Sequence, residues 1–297
     1  MKYDFLDGDL LSRLGALPFE SRTPMLGNVA GKHRSPHRGS SVEFAEYRKY
    51  VEGDDTRRLD WKVFARSDRF YIKEFEADTN LRAYFVVDAS GSMNFEGEHG
   101  SKVSYARQVA ASLAYLLVNQ GDAAGLSVCT DKLHLEIPPS RNVSHLEHIF
   151  STLNDLEPGG ETGLVEALHT VAEKVSQRAL VVILSDLFSD PEELGDALQH
   201  LRYRKHDIAV FHLMDPQEID FEFDRPKRFV DMEDGTALVA EPNLIAEEYK
   251  TALRDFMEAV RDKCHDANAD YQLITTDTDT EPLLRQFLTA RLSKSKK

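Results

Sequence analysis

The sequence is poor in cysteine and has no long apolar run. Its 297 residues include two cysteines, Cys129 and Cys264, which could form one disulfide but not a disulfide-stapled scaffold. No stretch approaches the roughly 20 apolar residues that span a bilayer. The N-terminal residues also lack the apolar core of a signal peptide. We therefore expect a soluble globular protein with no membrane span and a cytoplasmic location.

An excess of basic charge is also missing. The formal net charge is −15 and the sequence pI is about 5.2, which argues against a general nucleic-acid-binding protein. One window runs against this trend, since residues 32–73 carry 11 Lys or Arg against 7 Asp or Glu. That window could dock an acidic partner, or it could pair with the acidic remainder of the chain.

Familiar catalytic motifs are absent as well. The chain has no Gly-x-x-x-x-Gly-Lys-Ser/Thr loop, so any work done with ATP must come from another protein. No Ser-His-Asp or Cys-His arrangement is recognisable among its residues. These absences favour a binding protein over an enzyme.

From about residue 80 onward, strand-like apolar runs alternate with helical patterns. This alternation predicts an α/β fold, namely a doubly wound and mostly parallel sheet covered by helices. We expect an N-terminal accessory segment at 1–79, the α/β domain at 80–292 with a hairpin insertion at about 216–242, and a basic tail at 293–297. The predicted strands lie at 84–88, 123–130, 133–137, 179–184, 208–214 and 271–275.

Oxygen-bearing side chains follow two of these strands. Asp88 ends the first strand and is followed by Ser90 and Ser92, while Asp186 follows a second strand. Ligands bind outside the carboxyl ends of parallel strands where the strand order reverses. If the two strands are neighbours there, the two carboxylates face one crevice. Carboxylate and hydroxyl oxygens suit a hard cation such as Mg²⁺.

Each of these residues also has a purely structural interpretation. Asp88 or Asp186 could tighten a turn or cap a helix, and the two serines could be turn residues. Thr162, which follows a glycine pair, could cap the next helix. The five together favour a metal site, because their order on an α/β pattern resembles that of a known one.

The same five positions resemble the metal-ion-dependent adhesion site (MIDAS) of von Willebrand factor type A domains. The resemblance implies that Ser90, Ser92 and Thr162 ligate Mg²⁺, with Mn²⁺ as an alternative, through their hydroxyls. It implies that Asp88 and Asp186 bind the ion directly or through water. An open coordination position would then accept an Asp or Glu carboxylate from a partner.

The N-terminal third resembles the domain-of-unknown-function-58 family, and the likeness extends over residues 30–292. Its signature lies in Arg38–Tyr50, Gly53–Lys62, Ala65–Arg66 and Tyr71–Glu76. Many members carry N-terminal membrane helices, and this chain is similar to the members that do not. The family implies a partner, since its members are typically encoded beside MoxR-type AAA+ ATPases and are thought to act with them as chaperone-like systems.

Within the signature, the role of Gly53–Lys62 is open. Trp61 is expected to pack as a core anchor. The arginines Arg48, Arg57 and Arg66 could form internal salt bridges, which we favour, or a docking patch.

Three functions are consistent with the sequence. The first is a non-enzymatic, Mg²⁺-dependent protein-binding module that acts as an adaptor for an AAA+ ATPase. The second is a Mg²⁺-dependent phosphohydrolase that uses Asp88 and Asp186, although this chain has Asp-x-Ser where haloacid-dehalogenase phosphatases have Asp-x-Asp. The third is a protein whose metal site is purely structural.

Overall fold

The computed structural model describes most of the chain, and it divides the protein into two compact units. The first unit contains Met1–Arg22 and Arg82–Lys297, and the second contains Thr23–Leu81. The described residues are 3–20, 43–49, 61–67, 70–76, 81–130, 133–223, 225–233 and 235–295. The expected accessory segment at 1–79 therefore differs from the observed division, since its first 22 residues cluster with the α/β unit.

Helices and strands alternate along most of the described chain. In chain order they are α1 (Gly8–Leu14), β1 (Glu43–Lys49), α2 (Trp61–Ser67), β2 (Tyr71–Glu76), β3 (Arg82–Asp88), β4 (Glu96–Gly97), β5 (Gly100–Ser101), α3 (Lys102–Asn119), β6 (Ala123–Cys129), β7 (Leu133–Ser140), α4 (Val143–Asn154), α5 (Leu164–Lys174), β8 (Leu180–Ser185), α6 (Pro191–Tyr203), β9 (Asp207–Met214), α7 (Pro216–Asp220), β10 (Lys227–Val230), β11 (Ala237–Ala240), α8 (Pro242–Asp266), β12 (Asp270–Thr275) and α9 (Thr280–Ser295).

A six-stranded sheet forms the centre of the first unit, in the order β12-β9-β8-β3-β6-β7. All neighbouring strands in it are parallel except β7, which pairs antiparallel with β6 at the edge. The residues of β6, β8 and β9 are buried throughout, as expected of parallel strands covered on both faces. The predicted fold class, a mostly parallel α/β sheet flanked by helices, is confirmed.

Local capping signals set the starts of two helices that flank this sheet. The Asp190 side chain accepts hydrogen bonds from the backbone N–H groups of Glu192 and Glu193, and proline follows at the first helical position of α6. Ser101 caps α3 by accepting from the Ser104 N–H at 3.3 Å. Both starts can be read from the sequence, because a cap acts on donors within the first helical turn.

The N-terminal helix α1 explains why the first residues belong to the α/β unit. Its leucines Leu10, Leu11 and Leu14 are buried, and the helix lies against α3 and α9. Burying these apolar side chains removes them from water, so α1 is part of this core and not of a separate accessory segment.

The last helix is tied to the sheet by a buried arginine. Arg291 is 1% exposed. Its guanidinium pairs with Asp270 at 2.7 Å and with Asp207, and its Nε donates to the backbone oxygen of Glu20 at 3.1 Å. The two cysteines, by contrast, form no disulfide: Cys129 and Cys264 are both free and buried.

In the second unit, β1 and β2 form an antiparallel pair. Trp61 begins α2 and is 61% exposed, with its ring 6.2 Å from that of Phe64. The prediction of a buried core anchor was therefore wrong at this position. The Gly53–Asp60 part of the signature and Arg57 lie outside the described residues.

A hairpin interrupts the alternation, as predicted for 216–242. Its strands β10 and β11 pair antiparallel. It exposes large apolar side chains, with Val239 at 73% and Leu238 at 65%. At its base, the ring of Phe221 stacks on that of Tyr249 from α8, with a centroid distance of 4.2 Å.

Candidate metal centre

Asp88 lies at the carboxyl end of the central strand β3 and is 1% exposed. Its Oδ1 accepts a hydrogen bond from the Ser90 N–H at 2.9 Å, and its Oδ2 accepts from the Ser185 hydroxyl at 2.5 Å. Because β8 pairs directly with β3, Ser185 at the end of β8 lies beside Asp88. The two carboxylate-bearing strands are thus neighbours, at the point where the strand order reverses.

The loop after β3 presents two hydroxyls. The Oγ atoms of Ser90 and Ser92 lie 3.1 Å apart, and Ser90 is fully buried. This loop is joined to the one that precedes α5, because the Gly91 N–H donates to the Gly160 oxygen and the Gly159 N–H donates to the Ala89 oxygen, both at 2.9 Å. The second loop carries Thr162, which the paired backbones hold at the same edge of the sheet.

Thr162 does not act as a helix cap. The N-cap of α5 is Gly163, and no side chain makes a capping hydrogen bond there. The Thr162 N–H instead donates to Oε2 of Glu233 at 3.3 Å. Glu233 belongs to the turn between β10 and β11, so the hairpin reaches the loop that carries Thr162.

Asp186 follows β8 and is bound by a buried lysine. Lys102, at the start of α3, is fully buried, and its ammonium lies 2.8 Å from Asp186 Oδ2 and 2.7 Å from Glu218 Oε1. The second Glu218 oxygen accepts from the Asp215 N–H at 2.8 Å within a capping box. Lys102 therefore holds Asp186 in place from the interior side of the site.

Burial and charge perturb several of these groups. Burial, followed by the Asp186 carboxylate, raises the pKa of Asp88 to about 6. Burial alone would lower the pKa of Lys102, but the carboxylates of Asp186 and Glu218 raise it above its ordinary value, so the side chain is an ammonium. Burial lowers the pKa of nearby His212 to about 4, which leaves that ring neutral at pH 7.

The charges at this edge do not balance among the described residues. Four carboxylates act on one another or on Lys102, whose ammonium is the single cation placed among them: Asp88, Asp186, Glu218 and Glu233. An excess of buried negative charge is costly unless a cation offsets it. The donor set fits a hard divalent cation, because it offers hydroxyl and carboxylate oxygens and no sulfur or imidazole.

Three residues of this cluster were missed by sequence reasoning. Lys102 and Glu218 carried no usable signal, because Lys102 lies 84 residues from Asp186 and 116 residues from Glu218 in the sequence. Glu233 had one, since the hairpin that interrupts the alternation bears an acidic turn at Asp231–Asp234. Among the described residues, there is no group of three or more His, Cys, Asp or Glu placed to hold a metal ion. The candidate site differs from such a group, because it relies on the hydroxyl oxygens of serine and threonine as well as on carboxylates.

Comparison with known proteins agrees with this architecture. The family described as "Protein of unknown function DUF58" matches residues 46–263. "Uncharacterized protein Rv1480" of Mycobacterium tuberculosis is 26% identical over 223 residues, which cover 74% of this chain and 70% of that protein. "Uncharacterized protein YeaD" of Bacillus subtilis is 29% identical over 117 residues, which cover 39% of this chain and 27% of that protein.

Two solved structures share the fold at low sequence identity. BatB from Bacteroides thetaiotaomicron has a TM-score of 0.50 at 13% identity, and an aerotolerance-related membrane protein from Bacteroides fragilis has a TM-score of 0.51 at 13% identity. Each likeness covers 72% of this chain and 100% of the other. The von Willebrand factor type A domain of SpRpn10 is less similar, with a TM-score of 0.42 at 12% identity.

The prediction of a cytoplasmic location is wrong on this comparison, because a protein of the same fold is a membrane protein. The physical reason is that a globular α/β unit carries no signature of its compartment. In the part of the chain that the structure describes, no helix is both long and apolar enough to cross a bilayer, and that finding assigns no compartment.

Proposed function

Since the chain belongs to the family described as "Protein of unknown function DUF58" and has the α/β fold of type A domains, we propose that it is a metal-dependent protein-binding module. The observation that carries the proposal is the excess of buried carboxylate at one edge of the sheet, where Asp88 and Asp186 stand beside two hydroxyls 3.1 Å apart. Such a cluster favours a bound divalent cation.

In this proposal the residues divide their roles by charge. Ser90, Ser92 and Thr162 would hold Mg²⁺ or Mn²⁺ through neutral hydroxyls, and Asp88 and Asp186 would hold it directly or through water. When bound, the ion supplies a Lewis-acid position for a carboxylate oxygen. The protein contributes the orientation, because Ser185 and Lys102 fix the two aspartates by hydrogen bonds of 2.5 and 2.8 Å.

The partner would offer an Asp or Glu to this site. A MoxR-type AAA+ ATPase, or a client protein that the pair assembles or activates, is the partner that the family resemblance implies. The chain would then act as the adaptor and the ATPase would supply the energy, because the sequence has no nucleotide-binding loop of the P-loop type.

The environment of Asp88 supports binding over phosphoryl transfer. Both of its carboxylate oxygens already accept hydrogen bonds, and its side chain is 1% exposed. An aspartate that itself attacks phosphorus must be reached by the substrate, and the burial of Asp88 leaves almost no surface for that approach. A protein-binding role needs only that Asp88 face the ion, so we propose that the chain is not an enzyme.

Two measurements, made one after the other, test the proposal. Titration of the purified chain with Mn²⁺, followed by electron paramagnetic resonance, should show one bound ion that Asp88→Ala or Ser90→Ala removes. The immobilised chain should then capture the MoxR-type ATPase of the same genome, or its client, in Mg²⁺ and release it in EDTA.

Ser104→Ala is the matched control, since Ser104 is an exposed serine near the start of α3. It should leave both the Mn²⁺ signal and the capture unchanged, and far-ultraviolet circular dichroism should show that all variants are folded. Equal capture in Mg²⁺ and in EDTA would contradict the proposed mechanism.

A further inference from the structure

The hairpin turn between β10 and β11 rests directly on the loop that carries the serines. A Cβ atom added at Gly91 would lie 2.1 Å from the backbone oxygen of Met232 and 2.7 Å from its carbonyl carbon. Real atoms do not approach so closely, so only glycine permits this contact. The position of Met232 fixes the next residue, Glu233, beside the loop.

At this position, one oxygen of the Glu233 carboxylate accepts a hydrogen bond and the other does not. Its Oε2 accepts from the Thr162 N–H at 3.3 Å. Its Oε1 is buried and has no hydrogen-bond partner of good geometry among the described residues. A buried carboxylate oxygen without a partner is costly, so this atom marks a place where a ligand is expected.

The surroundings of Glu233 indicate that the species expected at this oxygen is a metal ion. Burial raises its pKa, the hydrogen bond from the Thr162 backbone and the proximity of the Ser92 hydroxyl lower it, and the charge of Asp186 raises it. Glu233 is thus placed among three of the five residues that were predicted to hold a metal ion. No carboxylate at this position was predicted from the sequence.

We propose that Glu233 is a resident ligand of this metal site, which fills from within the chain the coordination position that a partner's carboxylate would take. The inference rests on the proposed function, and it adds a rule for partners: an incoming Asp or Glu must displace Glu233. Displacement would release the hairpin, whose exposed Leu238 and Val239 side chains lie on the same element.

The coordination of Mn²⁺ tests this assignment without any partner. Water-proton relaxation counts the waters on bound Mn²⁺, and Glu233→Gln should raise that count by about one, because a charged ligand is replaced by a weak one. The dissociation constant for Mn²⁺ should rise by roughly tenfold or more. Glu241→Gln, a change of the same type at the exposed residue that follows β11, should alter neither value.

Two further readouts follow from displacement. Added acetate should remove water from the bound Mn²⁺ of Glu233→Gln and not from that of the wild type at the same concentration. Hydrogen exchange of the amides in 227–240 should slow on addition of Mg²⁺ in the wild type and should not respond in Glu233→Gln. Both results would show that Glu233 ties the hairpin to the ion.

The outcomes separate this inference from the proposed function. Equal hydration and affinity in the wild type and Glu233→Gln, with Mn²⁺ binding still lost in Asp88→Ala, would overturn the role of Glu233 and leave the metal site standing. A wild-type chain that binds no Mn²⁺ would overturn both.

Discussion

Replacing Lys102 by methionine removes the ammonium from the interior of the charge cluster and keeps most of the aliphatic volume. The ammonium lies within 2.8 Å of a carboxylate oxygen from each of Asp186 and Glu218, and the lysine has no exposed surface. Removing one partner of a buried ion pair costs about 3–5 kcal/mol, because the remaining charge stays buried. We expect Lys102→Met to lose stability in this range in metal-free buffer at pH 7.

The loss should depend on pH in a definite direction. Burial already raises the pKa of Glu218 in the presence of Lys102, and removing the ammonium raises it further. A carboxyl group whose pKa is higher in the folded state destabilises the fold above that pKa and ceases to do so once protonated. The difference between Lys102→Met and the wild type should therefore shrink as the pH falls from 7 toward 5.

Urea unfolding in EDTA, followed by circular dichroism at several pH values, measures both effects. Lys174→Met is the matched control, since Lys174 is half exposed and pairs with Glu136 at 3.0 Å on the surface. An exposed pair contributes roughly 0–1 kcal/mol. If Lys102→Met lost no more stability than Lys174→Met, the buried lysine would not be neutralising the site.

Two further changes test packing at the amino ends of the strands, at the edge of the sheet opposite the site, and a third tests the contact between the hairpin and the site. Arg291→Leu should lower the free energy of unfolding by about 3–5 kcal/mol in urea titrations, because the buried Asp207 and the partly buried Asp270 lose their cation; a loss under about 1 kcal/mol would contradict this. His206, whose pKa burial lowers to about 4, is neutral in the fold and must be charged on unfolding in acid. Between pH 7 and 5 the wild type should therefore lose about 2 kcal/mol more than His206→Asn. Gly91→Ala should speed hydrogen exchange of 227–240, because its Cβ meets the Met232 oxygen, whereas Gly159→Ala, with no atom within 4 Å of the added Cβ, should not.

The sheet could be predicted from the sequence because its determinants are local. The strand β8 is a run of apolar residues buried along its whole length, and such a run in an α/β pattern has few other structures available. The start of α6 is equally local, since Asp190 binds donors two and three residues away. Signals that operate within one helical turn or one strand are readable without knowing the fold.

Two predictions failed because the place of a residue in the fold mattered more than its type. Tryptophan is usually well buried, yet Trp61 is 61% exposed. The strand β7 was expected to end before Pro138, but it continues to Ser140. Proline is tolerated there because β7 is an edge strand, where a missing N–H breaks no ladder. The exposure of Trp61 and the extension of β7 past Pro138 follow from the assembled fold and not from the local sequence, whereas the proline pair itself indicates an edge strand.

The residues of the candidate site also divide into those that local sequence indicates and those that only the fold brings together. Asp88, Ser90 and Ser92 form a short local pattern, Asp186 follows a recognisable strand, and Thr162 follows a glycine pair, so all five of these residues were proposed from the sequence. Lys102 was not, because a lysine that follows a helix cap is ordinarily exposed and its two partners are 84 and 116 residues away. The residues that set the charge of the site are those brought to it by long-range topology.

Lys102 and Glu233 act on this cluster with charges of opposite sign. With both present, the cluster has three more negative than positive charges among the described residues, and a divalent ion would leave a single negative charge. Exchange of Glu233 for a partner's carboxylate would not change that total at the site. Electrostatics would then favour neither carboxylate. The choice between them would depend on how well the partner covers the apolar side chains of the hairpin that is released when Glu233 leaves the ion. A bare acidic peptide should therefore compete poorly with Glu233, whereas a partner that buries Leu238 and Val239 together with its carboxylate should displace it.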